Sequence, residues 1–481
     1  MAKTSGVLAV ASLVLLIPPA GGHAQGAPPS PSKVWHSKAE PGLERQVTSL
    51  PATTYPIDAN KKYTLAELID LAEQHNPETR VAWEAAKSKA DSLGIARSAL
   101  YPTMAAVALG STDRTATLIG EFFHRQTTGF FVPTLQVEYL IFDLGGRSGA
   151  IDAAKANLLA SNLAFNDTHR KIIFQVSSGY YRLLNAQGQR DAAEVSLKNA
   201  QTVEQDAQSR LDNGLATKPD HLEATAARAQ SDYDLQAAIG AVDIARGELA
   251  TVLSVPPDSQ FEVQGIDELK MPGDLAESVD QEINRAISQR PDLMQQWAHV
   301  RAADASIKAA KSRYFPVLSF TGYGGWARAY GQQDLLPGSY AAGEVWDAEL
   351  HLKWTLFDGA RREYDLAQAR SEKRQSQAEV DALRDDIANQ VWEAYTNMKT
   401  ALRQQQAAAA LLTSSQQSYD AAHEAYGYGV RSLLDVVSAQ KALAQARSED
   451  IFARAQLLLQ VANLAFRTGD LTVVPPPKTG P

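Results

Sequence analysis

The stretch YLIFDLGGR, residues 139–147, changes character midway. Read as extended chain, Tyr139 and Ile141 point to one side and Leu140 and Phe142 to the other. Asp143 and the Gly145-Gly146 pair then open a tract rich in Ala, Leu, Gln, Lys and Glu that runs without proline from Arg147 to Asn213. Such residues favour helix, and glycine is sparse among them. LKWTLFDGARR, residues 352–362, makes the same transition again. At 1.5 Å rise per residue the first tract alone reaches about 100 Å, more than a globular domain can enclose. The handover from strand to long helix therefore decides the fold.

Before the second junction, Ala348, Leu350, Leu352, Trp354 and Leu356 alternate with Asp347, Glu349, His351, Lys353 and Thr355. Before the first, Leu135, Val137, Tyr139 and Ile141 alternate with Thr134, Gln136 and Glu138. Strict period two gives a strand one apolar and one polar face. In a soluble sheet a core would cover the apolar face, but everything outside these strands reads as helix or loop. The rarer residues recur at nearly constant offset. A shift of 214 sets Pro77 on Pro291, Trp83 on Trp297 and Pro102 on Pro316; a shift of 215 sets Phe142-Asp143 on Phe357-Asp358, Gly214 on Gly429 and Asp220 on Asp435. The chain is one unit, duplicated.

Repeat 1 spans 61–275: a capping box at Thr64 to Glu67 opening a short helix, a helix over 78–100, strands near 103–117 and 130–142, a long helix over 147–213 and a return helix over 220–253. Repeat 2 spans 276–470, with a helix over 292–314, strands near 317–329 and 347–357, a long helix over 360–427 and a return helix over 432–467. Pro102 and Pro316 end the first helix of each unit. Ahead of the repeats, Lys3, the apolar run Val7 to Ile17 and Gly22-His23-Ala24 read as a signal peptide over 1–24. Residues 25–60 read as a Pro-rich extended arm, and 471–481 as a C-terminal tail.

The formal charge of -9 argues against nucleic acid as a partner. Absence of cysteine excludes thiolate metal sites, disulfides, a Cys nucleophile and a lipid-bearing N-terminal Cys. No HExxH, GxxxxGK[ST] or G-x-S-x-G occurs, so the expectation is no enzyme, no cofactor and no metal.

Strands with an apolar outer face suit hydrocarbon, where only helices and closed barrels satisfy every backbone group. Four strands cannot close, since the smallest membrane barrels use about eight. Copies must pool their strands, and three give about twelve. If each strand passes directly to a helix, the strand barrel continues into a helical one, and the result is a hollow tube.

HNPET (75–79), SALYP (98–102), SRYFP (312–316), LIFDLGG (140–146), TLFDGAR (355–361), NGLATKPDHLEA (213–224) and YGVRSLLDVVSAQ (428–440) together resemble the TolC family of outer-membrane efflux proteins, over about residues 61–470. The resemblance implies an all-α long helical coiled-coil barrel joined to a membrane β-barrel. It would be a homotrimer with four strands per chain, a twelve-strand barrel continuous with a twelve-helix tunnel. It implies the outer membrane with extension into the periplasm, and outer-membrane lipid, a periplasmic adaptor and, through the adaptor, an inner-membrane transporter as partners. Lacking a lipid-bearing Cys, the chain resembles the non-lipidated branch. In such a channel the closed end lies at the helix turns. By position, Arg431 and Tyr426 would latch to Asp220 while Asp435 forms a ring of negative charge with raised pKa; Ser438 stands where the family often has a second acid, and Glu223 is the substitute. Asp220 and Asp435 also read as ordinary carboxylates in first helical turns, and Arg431 as a solvated charge. Gly214, Leu215, Gly429 and Val430 would be adaptor-docking tips, and read equally as C-cap turns. Tyr139, Trp326, Trp346 and Trp354, with Phe122, Phe123, Phe130 and Phe131, are candidate membrane-interface aromatics. The alternative from another class is a periplasmic or surface structural coiled-coil protein without channel activity, its strands forming an ordinary sheet.

Overall fold

A computed structural model describes residues 39–49, 61–273, 278–333 and 336–472, with Ser32, His36, Tyr55 and residues 57–59. The expected signal peptide lies outside the described residues, as does most of the expected tail. The chain divides into two units, Met1–Thr54 and Tyr55–Pro481. In the first, residues expected to be extended form α1 (Glu40–Thr48). Pro41 sits in the first turn, where its missing N–H costs nothing, and Glu40 and Arg45 complement the helix dipole.

In the second unit α2 (Leu65–His75), α3 (Pro77–Ser98), β2 (Thr103–Ile119), β3 (Phe122–Phe142), α4 (Gly146–Asp212) and α5 (Lys218–Val252) are followed by α6 (Val279–Gln289), α7 (Pro291–Ser312), β5 (Val317–Gln333), β6 (Ser339–Lys353), α8 (Arg361–Gly427) and α9 (Leu433–Thr468). The order recurs with equal lengths: 11 and 11 residues, then 22 and 22, a first strand of 17 in each half, and long helices of 67 and 67. A two-residue parallel ladder, β1 (Lys62–Tyr63) on β4 (Glu262–Val263), was not visible in the sequence.

The long helices are held by separate apolar clusters rather than a continuous core. Leu68, Ile172, Val176, Tyr180, Leu249 and Leu253 form one; Leu293, Val300, Ile387, Val391 and Leu464 a second; Val203, Tyr419, Tyr426, Leu433 and Val436 a third, near the helix turns. Small residues set the close approaches between them. A Cβ on Gly149 of α4 would meet the α7 backbone at Ala309 N (2.7 Å) and Ala305 O (2.9 Å). Where α4, α7, α8 and α9 meet, the buried Arg170 is bonded to Asp167 Oδ1 and to Phe466 O at 2.6 Å and lies over the Phe466 ring. Arg290 joins Asp292 Oδ2 (2.5 Å) to Gln390 Oε1 (2.9 Å) beside it.

The four long strands form one antiparallel sheet in the order β2-β3-β5-β6, so β2 and β6 each keep one edge without a partner among the described residues. Register assigns the faces. Leu318, Phe320, Gly322, Gly324 and Trp326 stand opposite Leu352, Leu350, Ala348, Trp346 and Glu344, and share their face with Tyr139, Val137, Leu135, Met104 and Ala106. The other face carries Ser319, Thr321 and Tyr323, His351, Glu349 and Asp347, and Gln136 and Glu138.

The strand bounds differ most from the sequence reading in β3 and β6, while β2 runs to Ile119 rather than 117 and β5 to Gln333 rather than 329. β3 begins at Phe122 rather than near 130, because the polar run HRQTTG pairs fully with β2 through the turn at Gly120 (φ +64). β6 spans 339–353 rather than 347–357. Its partner β5 begins only at Val317, just after Pro316, and Val317 pairs with Lys353, so residues beyond Lys353 have nothing to pair with.

The junctions are built alike. After Phe142 the chain turns through Leu144 (φ +48) and Gly145 (φ +109), and after Phe357 through Gly359 (φ +68) and Ala360 (φ +66). At the first, Asp143 Oδ2 accepts from Arg147 N (2.5 Å), while the Arg147 guanidinium donates to Ala99 O (3.1 Å) and Ile141 O (3.0 Å). At the second, Arg362 lies 3.0 Å from Asp358 Oδ2 and donates to Thr355 O (2.7 Å) and Leu356 O (3.0 Å). One arginine thus satisfies the carbonyls that the strand can no longer pair and fixes the first turn of the helix. Arg362→Met, which leaves a largely buried Asp358 without its cation, is expected to lower stability by about 2–3 kcal/mol. Ala360→Gly is expected to raise it by about 1 kcal/mol by relieving the left-handed backbone. Unfolding midpoints of the detergent-solubilised protein check both directions.

Candidate functional site

The apolar sheet face is a band with two ends. From Leu318 to Trp326 along β5 is about 27 Å at the usual strand rise, close to the ~25 Å apolar band of membrane barrels. Leu350, Leu352 and Trp346 on this face are 68%, 71% and 78% exposed, a degree of apolar exposure that water does not favour. Trp326 and Trp346 mark one end of the band, where Glu344 and Arg328 begin the charged surface. Trp354 marks the other, its indole N–H donating to Tyr314 O at 3.1 Å just beyond β6. Tyr139 stands opposite Phe320, inside the band rather than at its rim. Of the four phenylalanines, Phe123 and Phe131 share the apolar face, whereas alternation puts Phe122 and Phe130 on the opposite one.

At the far end of the long helices both turns are Schellman motifs. Leu215 N donates to Arg210 O (2.8 Å) and Gly214 has φ +70; Val430 N donates to Ala425 O (2.9 Å) and Gly429 has φ +72. An apolar residue usually packs back onto the helix after such a turn. Leu215 and Val430 instead stay 70% and 78% exposed, as two bare apolar tips.

Within the chain the expected latch is not made. Asp220 is held in a capping box: its Oδ2 accepts from Thr217 Oγ1 (2.7 Å) and Thr217 N (2.8 Å). Asp435 repeats the arrangement with Ser432 Oγ (2.9 Å) and Ser432 N (3.1 Å). The hydroxyl and then the amide hold both carboxyls below the ordinary 3.8. Raised values, the expectation for a ring of like charges, are therefore not a property of the single chain. Arg431 pairs with its own Asp435 at 3.5 Å, an exposed contact of small energy. Glu223 has no ion pair among the described residues. The Tyr426 hydroxyl has no hydrogen-bond partner among the described residues, and burial pushes it up from its usual value.

What meets Tyr426 is Arg210, which sequence reasoning missed. Its guanidinium lies 4.6 Å from the Tyr426 ring centroid, and its Nη1 donates to Tyr426 O at 2.7 Å. One turn away, Asp206 of α4 meets His423 of α8 at 3.1 Å. The repeat gave no signal for Arg210, because a shift of 215 sets it on Ala425.

This architecture has known counterparts. The sequence model described as "Outer membrane efflux protein" matches residues 68–254 and 283–470. The chain belongs to that family. Among its relatives is Protein CyaE of Bordetella pertussis, 27% identical over 441 residues and covering 90% of each chain. Another is the Cation efflux system protein CusC of Escherichia coli strain K12, 24% identical over 361 residues, 72% of each. In fold, a solved membrane protein from Pseudomonas aeruginosa is alike with a TM-score of 0.72 at 21% identity, over 87% of this chain and all of that one. As an outer membrane efflux protein, the chain resides in the outer membrane and reaches into the periplasm.

The two capping boxes respond to pH with a definite sign. A carboxyl whose folded pKa is depressed contributes stability above its unfolded value and loses it as pH falls through the folded one. Amide protection of the first turns of α5 and α9 is therefore expected to be unchanged between pH 7 and 5 and to fall only below pH 3.8. Thr217→Ala and Ser432→Ala are expected to weaken it already at neutral pH, which hydrogen exchange at each pH reads directly.

Proposed function

We propose that this chain forms the outer-membrane duct of a tripartite efflux or secretion system: a passive homotrimer, not an enzyme, in which three four-stranded sheets close a twelve-strand barrel. Its α4, α5, α8 and α9 continue as a twelve-helix periplasmic tunnel. One observation carries the proposal. A sheet with an apolar exterior and two bare edges is joined, with no linker, to helices about 100 Å long. In hydrocarbon those edges must pair, and the nearest partners are the edges of other copies. The polar strand face then lines the lumen.

The mouth is at the helix turns, where Asp220, Glu223, Tyr426, Arg431 and Asp435 gather on each chain. Asp435 from three chains makes the acidic constriction that favours cations. A periplasmic adaptor, itself bound to an inner-membrane transporter, docks on Gly214-Leu215 and Gly429-Val430, whose apolar side chains have no use in water. Outer-membrane lipid surrounds the band bounded by Trp326, Trp346 and Trp354. CusC belongs to a cation efflux system, but cargo selection here is assigned to the pump and not to this duct's wall.

Extracted from membranes and run unheated in SDS, the protein is expected to migrate as a heat-sensitive trimer and, in planar bilayers, to give small cation-preferring conductance. Asp435→Asn is expected to reduce the cation preference while conductance remains. A monomer without conductance contradicts the duct and favours a structural coiled-coil protein. Unchanged selectivity in Asp435→Asn removes the acidic constriction alone.

A further inference from the structure

We propose that a cavity in the helical wall binds an α-amino-acid group, an ammonium and a carboxylate carried on one carbon, with Asp450 receiving the ammonium and Arg447 the carboxylate. The cavity, of about 350 Å³, lies between α4, α8 and α9, beside the short 3-10 turn Ile266–Glu268. Along α4 it falls between the apolar cluster around Tyr180 and the one around Val203. Leu184, Val195, Ile266, Leu412 and Ile451 form its apolar walls. Two close contacts fix α4 against α9 at this level. A Cβ on Gly188 would lie 2.6 Å from Ile451 Cγ2. Gln189 exchanges two bonds with Ser448, its Nε2 donating to the carbonyl (2.8 Å) and its Oε1 accepting from the hydroxyl (2.6 Å). The polar groups of α9 that face the cavity are therefore carried on rigid helix.

Asp450 lines this cavity and is only 7% exposed, yet it makes no hydrogen bond among the described residues. The nearest cation, Arg454, stands 3.9 Å away and gives its closer contact, 2.8 Å, to Asp267 at the rim. Burial accordingly pushes the Asp450 carboxyl above its ordinary value. A carboxylate buried without hydrogen bonds is costly, and an ammonium seated on it removes that cost. One turn away, Arg447 donates from Nη2 to Gln416 Oε1 at 2.7 Å, whereas its Nη1 is buried without a partner among the described residues. Residues three apart on a helix share a face, with about 5–6 Å between their Cβ atoms. An unused acceptor and an unused donor at that spacing match the two charges of one amino-acid group, and the apolar walls match its carbon frame. Asp191, also on the lining, is already paired with Arg190 at 2.5 Å.

The source of the ligand rests on the duct function above. A lumen has no room for the layer of α2, β1, β4 and α6, so that layer lies outside the tunnel. Ile266–Glu268 follows β4 directly, and the cavity beside it opens to the periplasm. A wall of about 100 Å there passes the cell-wall layer, whose stem peptides present this group on diaminopimelate. The group is therefore met either on a free amino acid or on a cell-wall peptide.

The test titrates the whole detergent-solubilised protein by calorimetry with three probes: meso-diaminopimelate, cadaverine, which keeps only its ammonium groups, and pimelate, which keeps only its carboxylates. Diaminopimelate is expected to bind at least about tenfold tighter than either. Asp450→Asn and Arg447→Gln are each expected to weaken it about tenfold, the loss of one charge-assisted hydrogen bond. Glu449→Gln, adjacent on α9 but exposed and bonded to Gln445, is expected to leave it unchanged. Should the first two variants not assemble, methyl NMR of the wild type decides: the Ile266 and Ile451 signals are expected to shift with diaminopimelate and with neither other probe. Purified cell-wall sacculi separate the two sources. Protein retained on them and released by free diaminopimelate places the ligand on the cell wall, whereas binding of the free compound without retention makes it a soluble amino acid. No binding of diaminopimelate, equal affinity for all three probes, or affinity unchanged in both Asp450→Asn and Arg447→Gln overturns the site. None of these readings uses conductance, so a monomer that does not conduct contradicts the duct separately.

Discussion

An antiparallel sheet whose outer face is apolar and whose two edge strands lack partners is stable only where something completes it. In water the apolar face is exposed at large cost, and in hydrocarbon each bare amide and carbonyl on an edge costs several kcal/mol. Both penalties vanish together if the face meets lipid and the edges meet the edges of identical sheets. On the proposed closure β2 and β6 would gain equivalent neighbours, the polar face would turn inward, and the helices attached to the strands would stand in a ring.

The junctions would transmit the proposed closure. Because Arg147 and Arg362 lock the strand ends to the first helical turns, strand spacing at one end dictates helix spacing at the other. Long helices packed through glycine and alanine, as at Gly149, keep that spacing over their length with little apolar surface. Larger clusters lie at two levels, one in the middle of the long helices, where Ile172 and Ile387 occupy equivalent positions, and one near the turns. At the turns, where no barrel imposes order, the chain relies on capping boxes, Schellman turns and Arg210.

Much of this was legible in the sequence. The period-two strands, the Phe-Asp junctions, the Pro102 and Pro316 stops and the offset of 214 to 215 gave the element order, because each depends on local chemistry. What escaped depends on distant partners. HRQTTG has no strand periodicity and becomes strand only because β2 pairs with it, while Trp354 to Phe357 alternate like a strand but face no partner. At the mouth, T-x-x-D and S-x-x-D are local capping signals, and the structure shows that local use. Contacts that cross between the hairpins near the turns come from Arg210 and from Asp206 with His423; the counterpart of Arg210 in the repeat is Ala425, so neither motif nor duplication pointed to it.

The central claim is that the edges of β2 and β6 are paired between copies. Amide hydrogen exchange on the detergent-solubilised protein measures this directly. If the sheets close a common barrel, the outward-pointing amides of β2 and β6 are as protected as those of the interior strands β3 and β5. Fast exchange along both outer strands, with β3 and β5 still protected, contradicts the account.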